Sequence, residues 1–402
     1  MEIKKLVKSF KDQFIMLVGS NLIGLLSLIF ALLLLYIGNK GQYNLYTSYT
    51  SIFAVFLVPS KLIKSLATTY GLAVFDKVHS FYNKLNRNKY WLLLFFLVYL
   101  ILVYFITVYI KGTYFTTAFL ILTAVSQIIL QVFIGIIQNR KKFFESSMIL
   151  IIQSIGKIIL ALVLFYFVLV NGIWFAFFMV SVITNFFLIN NFRKKYQDRV
   201  NKTNSKIFNS DILINLFLLM SLELLFNFDA ILASTKLNAN EAYIYNSLVL
   251  VKKTLFFSVF GLTQIVLAES RKIETKKINS LIKNLLITVL VSVAAAIVFI
   301  LFKNIIFKII NLDINYMSFY IKFIFTSILF SVLFMIGTWF TSFRNKFIRI
   351  SLSLFILFFV FYYFQVVKNL ENMIDIFIWG NIVLIAIQIG LGGVKYLTTR
   401  KL

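Results

Sequence analysis

The sequence predicts an all-α integral membrane protein with about twelve transmembrane helices, and three observations carry that prediction. Apolar residues fill 61% of the 402 positions and the mean hydropathy is +0.92, where a soluble domain holds roughly 45–50% apolar residues. Charged residues amount to only 13% and fall in clusters. Between the clusters run continuous apolar stretches of ~20 residues, the length that crosses a ~30 Å hydrocarbon core at ~1.5 Å per residue. These runs do not alternate polar with apolar, so β-barrel strands are excluded.

Taken in order, the spans lie near 13–37, 43–72, 90–110, 115–138, 146–169, 173–192, 211–234, 242–268, 284–302, 316–343, 350–367 and 374–394. The segment before the first, Met1–Gln13, sets Ile3, Leu6, Val7 and Phe10 on one helical face and Lys4, Lys5, Lys8 and Lys11 on the other. That pattern fits an interfacial helix over residues 1–12 lying on anionic lipid, or an ordinary solvated basic start. No small-residue cleavage site follows it, so the first span is expected to stay in the protein.

Where the basic residues fall orients the spans. With the N-terminus inside, the cytoplasmic segments hold 28 Lys and Arg and the outer loops 6, with 6 more inside spans. This bias predicts both termini in the cytoplasm and an even span count. It also explains a net charge of +26 without nucleic acid.

Loop length limits the chemistry. No connection exceeds about twenty residues, so nothing outside the bilayer has room for a catalytic or nucleotide-binding domain. The sequence has no Cys, which removes disulfides, thiol catalysis and thiolate metal sites, and no GxxxxGK[ST] loop. The sole histidine, His79, sits in the basic loop 73–89 and reads as solvated. An enzyme is not expected; the work is done in the membrane.

The longest connection, the basic linker 193–210, lies at the centre of the chain and suggests two halves, an N-terminal bundle over 1–192 and a C-terminal bundle over 211–402. GQYNLYTSYTSIFAVFL from Gly41 and NEAYIYNSLVLVKKTLF from Asn240 match at an offset of 199 residues, pairing Leu45 with Ile244, Tyr46 with Tyr245 and Ser48 with Ser247. Two parallel six-helix halves are a recurrent transporter plan, with the substrate site expected between them.

Polar residues inside spans each need a reason, because Lys at the bilayer centre costs about 2.5–3.5 kcal/mol on insertion scales. The set is Lys61, Lys64, Lys157, Lys252, Lys253 and Lys322, opposed by Glu223 and Asp229. The excess cations predict water or an anionic ligand. Thr50, Lys61, Lys64, Ser65 and Thr68 share one stripe of the second span; Asn246, Lys253 and Gln264 share one of the eighth. Lys252 is flanked on its own face by Leu248, Val249, Leu255, Phe256 and Val259, so Lys253 is expected to face the interior rather than Lys252. Lys61, Lys64 and Lys253 are therefore assigned to a hydrated cavity. Lys157 stands between cavity and structural roles, and Lys322 is expected to snorkel to the outer surface. The Gln, Ser and Thr positions, such as Gln127, Gln131, Gln138 and Gln153, read as glue between helices. The single proline, Pro59, interrupts the second span beside Lys61, and Gly261 holds nearly the matching place in the eighth; both are expected hinges.

LLFNFDAILASTKLNANEAYIYNSLVLVKKTLFF (224–257) resembles the seventh and eighth helices of polysaccharide flippases, O-antigen flippases among them. The points of likeness are Asn227-Phe228-Asp229 and the outer turn Glu241-Ala242-Tyr243-Ile244-Tyr245. VFIGIIQNRKKFFESSMILIIQSIGKIILALVLFYF (132–167) is similar to the family's fourth and fifth helices at Gly135, Gln138 and Phe143. GQYNLYTSYTSIF resembles the first repeat, with Asn44 where the family has Gly. The family belongs to the MOP superfamily, with the MATE exporters and lipid II flippases. The resemblance implies twelve helices in two bundles about a cavity, in the cytoplasmic (inner) membrane of a bacterium, working as a monomer. It implies a cargo of undecaprenyl-diphosphate-linked oligosaccharide, carried to the periplasmic leaflet by alternating access, and pathway partners such as a polymerase and chain-length proteins. No cofactor is expected beyond a proton or sodium gradient, with Glu223 or Asp229 either coupling to it or pairing with a cavity Lys. Alternatives sharing the fold are a lipid II or teichoic-acid precursor flippase and a MATE-type exporter, whose cationic cargo would favour an acidic cavity. A membrane-embedded polymerase would want a larger outer loop.

Overall fold

The computed structural model describes residues 19, 22–71, 74, 89–140, 142–196, 210–269, 277–340 and 346–399. The interfacial segment 1–12, His79 and most of the linker 193–210 fall outside those residues. Among the described residues every long element is an α-helix and no strand occurs.

In chain order the helices are α1 (Leu22–Ile37), α2 (Lys40–Phe56), α3 (Val58–Tyr70), α4 (Lys89–Ile110) and α5 (Tyr114–Asn139). There follow α6 (Phe143–Val168), α7 (Val170–Tyr196), α8 (Ser210–Lys236), α9 (Ala239–Glu269) and α10 (Lys277–Leu301). The last are α11 (Lys303–Ile309), α12 (Met317–Phe340), α13 (Lys346–Val366) and α14 (Leu370–Thr399). Over the described residues, each apolar stretch read from the sequence falls on one of them or on a broken pair. Eight spans are long and apolar enough to cross a membrane, α2 with α3 counting as one. Helices α10 and α11, bent by 77° at their break, form a ninth candidate. Exposed apolar side chains on α6, such as Ile152, Ile159, Val163 and Tyr166, recur every three or four residues, as on a helix with one face to lipid. The protein is multi-pass in the membrane.

Contacts divide the chain into two compact units, residues 1–30 with 52–209, and residues 31–51 with 210–402. Residues 31–51, which the sequence reading puts in the N-terminal bundle, thus pack with the second unit. Side chains explain why. Lys40 Nζ donates to Asn240 Oδ1 at 2.9 Å, Asn246 Nδ2 donates to Asn44 Oδ1 at 2.9 Å, and Ser234 Oγ donates to the Asn44 carbonyl at 3.3 Å.

The repeat gains a physical counterpart here. Asn39 caps α2, accepting from the Gln42 N–H at 2.9 Å, while Gln42 Oε1 accepts from the Asn39 N–H at 3.1 Å. Asn238 caps α9 in the same way, accepting from the Glu241 N–H at 2.9 Å. These are reciprocal or half-reciprocal capping boxes, and 39 to 238 and 42 to 241 both keep the offset of 199.

The first unit turns on close helix contact. A Cβ at Gly135 of α5 would lie 2.5 Å from Ala67 Cβ and 2.6 Å from the Lys64 carbonyl of α3. Only hydrogen fits there. Asn139 Nδ2 donates to the Thr68 carbonyl at 2.8 Å, satisfying the end of α3, and Gly71 closes that helix with φ +59°. A single residue, Leu57, separates the end of α2 from the start of α3, and Pro59 lies in the first turn of α3, where a missing N–H is tolerated. No matching break occurs at Gly261, because α9 runs through it. Proline lacks the N–H that a helix needs; glycine keeps it. The expected hinge at Gly261 therefore loses the interruption it rested on.

Candidate functional site

Two sets of charged side chains lie within the helices, one in each unit, and they differ in how their charges are met.

In the second unit α8 brings Asp229 against Lys252 of α9. Both are wholly buried, and the Lys252 ammonium pairs with the Asp229 carboxylate. Lys252 Nζ also donates to the Phe226 carbonyl at 3.0 Å, and lies 4.8 Å and 5.1 Å from the ring centroids of Phe226 and Phe377. Asp229 accepts from the Tyr245 hydroxyl at 2.9 Å and from the Ala230 N–H at 2.9 Å. The protein thus supplies the pair with several further hydrogen bonds, as a buried ion pair demands.

The expectation for Lys252 is thus overturned: it is the buried lysine of the eighth span. Leu248, Val249, Leu255 and Phe256, which suggested a lipid-facing side, are 0–3% exposed. Phe226, Phe256 and Phe330 stack there with centroids 4.4–5.3 Å apart. An apolar helix face seeks lipid and protein core alike, and here it found the core. Lys253 is half-buried, with Nζ at 3.5 Å from Ser51 Oγ of α2. Glu223 is buried one turn before Asn227, whose Nδ2 donates to its carbonyl at 2.9 Å and its carboxylate at 3.3 Å.

Lys322 does not simply snorkel. Its Nζ lies 2.7 Å from Asp375 and 3.9 Å from Glu371 in the first turns of α14, and Asp375 is an acid that the sequence reading did not set against it. A further buried cation, Arg349 of α13, is 2% exposed and pairs with Asp211 at 2.6 Å and Asn215 Oδ1 at 2.7 Å. The sequence reading counted it only as a cytoplasmic loop residue.

The first unit has a different interior. Gln127 Nε2 donates to Ser181 Oγ at 2.8 Å and Gln153 Nε2 to the same oxygen at 3.4 Å. Asn185 Nδ2 reaches Ser126 Oγ at 2.8 Å, and Gln138 Nε2 reaches Ser146 Oγ at 3.3 Å. These bonds tie α5 to α6 and α7, as helix glue does. Three lysines share the unit: Lys61 is exposed on α3, while Lys64 on α3 and Lys157 on α6 are half-buried. Lys157 Nζ lies 5.8 Å from the Phe177 ring centroid. Among the described residues of this unit Glu145 is the one acid, and it pairs with Lys142 at 2.6 Å.

No family model and no curated protein matches the chain. Solved structures do match over nearly its whole length. A MATE protein in complex with MaD5 superposes with a TM-score of 0.66 at 14% identity, covering 97% of this chain and 96% of its own. An outward-facing multidrug resistance MATE family transporter of the MOP superfamily gives 0.63 at 13% identity, covering 97% and 95%. A MOP superfamily transporter from Pyrococcus furiosus, described by a binding pocket of reverse polarity that suggests a different function, gives 0.61 at 13% identity, covering 96% and 95%. The chain has the fold of the MATE-type transporters of the MOP superfamily.

Proposed function

We propose that the protein is a membrane transporter for an anionic cargo, and that the cargo is an undecaprenyl-diphosphate-linked oligosaccharide flipped from the cytoplasmic to the periplasmic leaflet by alternating access. The fold supports transport. One observation supports the sign of the cargo: Lys64 and Lys157 lie half-buried in mid-helix, in a unit whose one described acid is committed to Lys142. Ammonium groups so placed replace part of the hydration of a diphosphate by charge-assisted hydrogen bonds. The inner-membrane location and cytoplasmic termini belong to the same reading.

A cationic-drug exporter of MATE type is the competing reading, and it would look to Glu223 and Asp229. Asp229 is already neutralised by Lys252. The remaining balance favours an anion.

The test is complementation of a strain whose surface glycan depends on this protein. Lys64→Gln and Lys157→Gln should each lower export roughly ten- to a hundredfold, the worth of one hydrogen bond to a charged group. Protein levels should stay unchanged, with lipid-linked oligosaccharide accumulating on the cytoplasmic leaflet. Lys→Arg should keep part of the activity. Full export by the double Lys→Gln protein would end the anionic-cargo reading.

A further inference from the structure

The core face of α14 carries Phe377, Asn381, Leu384 and Gln388 at steps of four, three and four residues, one continuous stripe. All four are buried, and the two amides are 0% exposed. Neither terminal atom of Asn381, and neither of Gln388, has a hydrogen-bond partner among the described residues. Buried amides without partners are expensive in a low-dielectric interior, and native proteins keep very few. Two on one face, with all four polar atoms unpaired, call for a ligand.

The chemistry of the amides selects it. Each offers a donor and an acceptor side by side. A metal cation would engage only the oxygens and leave both NH2 groups unpaired; an anion would do the reverse. The fully buried carboxylate of this unit, Asp229, already has Lys252. Water both donates and accepts, and it fits both ends.

We infer that the second unit holds ordered water along the core face of α14, from Gln388 past Asn381 toward the Asp229–Lys252 pair. Phe377, whose ring lies 5.1 Å from Lys252 Nζ, is one turn from Asn381 on that face. The amides are seven residues apart on the helix, about 10 Å, a distance that about three waters bridge. Gly337 of α12 packs closely over the second amide: a Cβ there would sit 2.8 Å from a Leu222 methyl and 3.4 Å from Gln388 Nε2. The inference stands apart from the identity of the cargo.

Hydroxyl-radical labelling by X-ray radiolysis, read by mass spectrometry on the full chain in detergent, tests it, because radicals form at bound water wherever it is buried. Leu384, 1% exposed between the two amides, should label several-fold faster than Leu130, 0% exposed in the apolar core of the first unit. The double variant Asn381→Leu/Gln388→Leu should bring Leu384 down to the Leu130 rate. Replacing sodium and potassium with choline should leave the wild-type rate unchanged. Labelling of wild-type Leu384 at the Leu130 rate would overturn the inference, and this arm needs no variant to fold. A marked rise on removing the alkali cations would overturn it too, by showing that a cation fills the site.

Discussion

The two units solve the problem of polar groups in a membrane interior in opposite ways. The first joins α5, α6 and α7 by amides and hydroxyls, with Ser181 receiving both Gln127 and Gln153. Lys64 and Lys157 take no share in those bonds. The second builds its interior on opposite charges, Lys252 with Asp229 and Arg349 with Asp211, and pairs Lys322 with Asp375 nearer its surface. These charges of the second unit are thus met by opposite charges, whereas Lys64 and Lys157 lie half-buried in a unit whose one described acid, Glu145, pairs with Lys142. Counting charges over the whole chain blurs this distinction; counting them within each unit reveals it.

The sharpest way to break the comparison is to strip one partner from the buried pair. Asp229→Asn or Lys252→Met leaves an uncompensated charge buried against the Phe226 and Phe377 rings, at a cost of about 3–5 kcal/mol. Thermal unfolding in detergent should show heavy loss of folded protein for either single variant. The double variant Asp229→Leu/Lys252→Met should recover most of it, since two apolar side chains in a Phe-lined site suit their surroundings. Singles as stable as the parent would mean that the second unit does not rest on its ion pairs.

In the first unit the corresponding weak point is steric. Gly135→Ala places a methyl 2.5 Å from Ala67 Cβ and against the Lys64 carbonyl, so α3 must move. Such overpacking costs about 1–3 kcal/mol. The lysine it displaces is one of those assigned to the cargo, so export should fall further than folded protein does. Equal losses of both would separate Gly135 from the site.

The same contrast explains what could be read from the sequence. Span positions were legible because a run of ~20 apolar residues has few other uses. For Asp229 the sequence left open ion coupling or pairing with a cavity lysine, and the structure pairs it with Lys252, which the sequence reading kept out of the cavity. The choice of lysine was not legible: Leu248, Val249, Leu255 and Phe256 around Lys252 mark a buried face, and hydropathy alone does not separate protein core from lipid. Asp375 was missed because it stands near the start of its span, and its partner is 53 residues away in sequence. The Asn381 and Gln388 amides had a visible signal, two polar residues seven apart on the stripe of Phe377 and Leu384, and only knowledge that this stripe is the core face gives it meaning. Pro59 interrupted its helix as chemistry requires, and Gly261 did not.

A gentler probe sharpens the first unit. Gln127→Leu removes one of two donors to Ser181, and Gln153 at 3.4 Å remains to hold that hydroxyl. Interhelical hydrogen bonds in membranes average about 0.6 kcal/mol. The unfolding midpoint should fall slightly and export should not change. A loss of export without a loss of stability would move Gln127 from glue to site.

The smallest effect is expected at Lys322, and it tests whether every ion pair of the second unit counts alike. Its side chain is 32% exposed, and its partners Asp375 and Glu371 are 45% and 72% exposed. Water therefore screens the attraction and solvates whichever partner is left alone. Exposed pairs of this kind contribute about 0–1 kcal/mol, far below the buried pair of Asp229 and Lys252. Lys322→Gln should unfold within a degree or two of the parent and export glycan at the parent rate. Asp375→Asn should behave the same way, because neither change strands a charge in a dry interior. If Lys322→Gln instead lost export at full stability, the outer end of α12 would join Lys64 and Lys157 in handling the cargo, and the assignment of charge recognition to the first unit would fail.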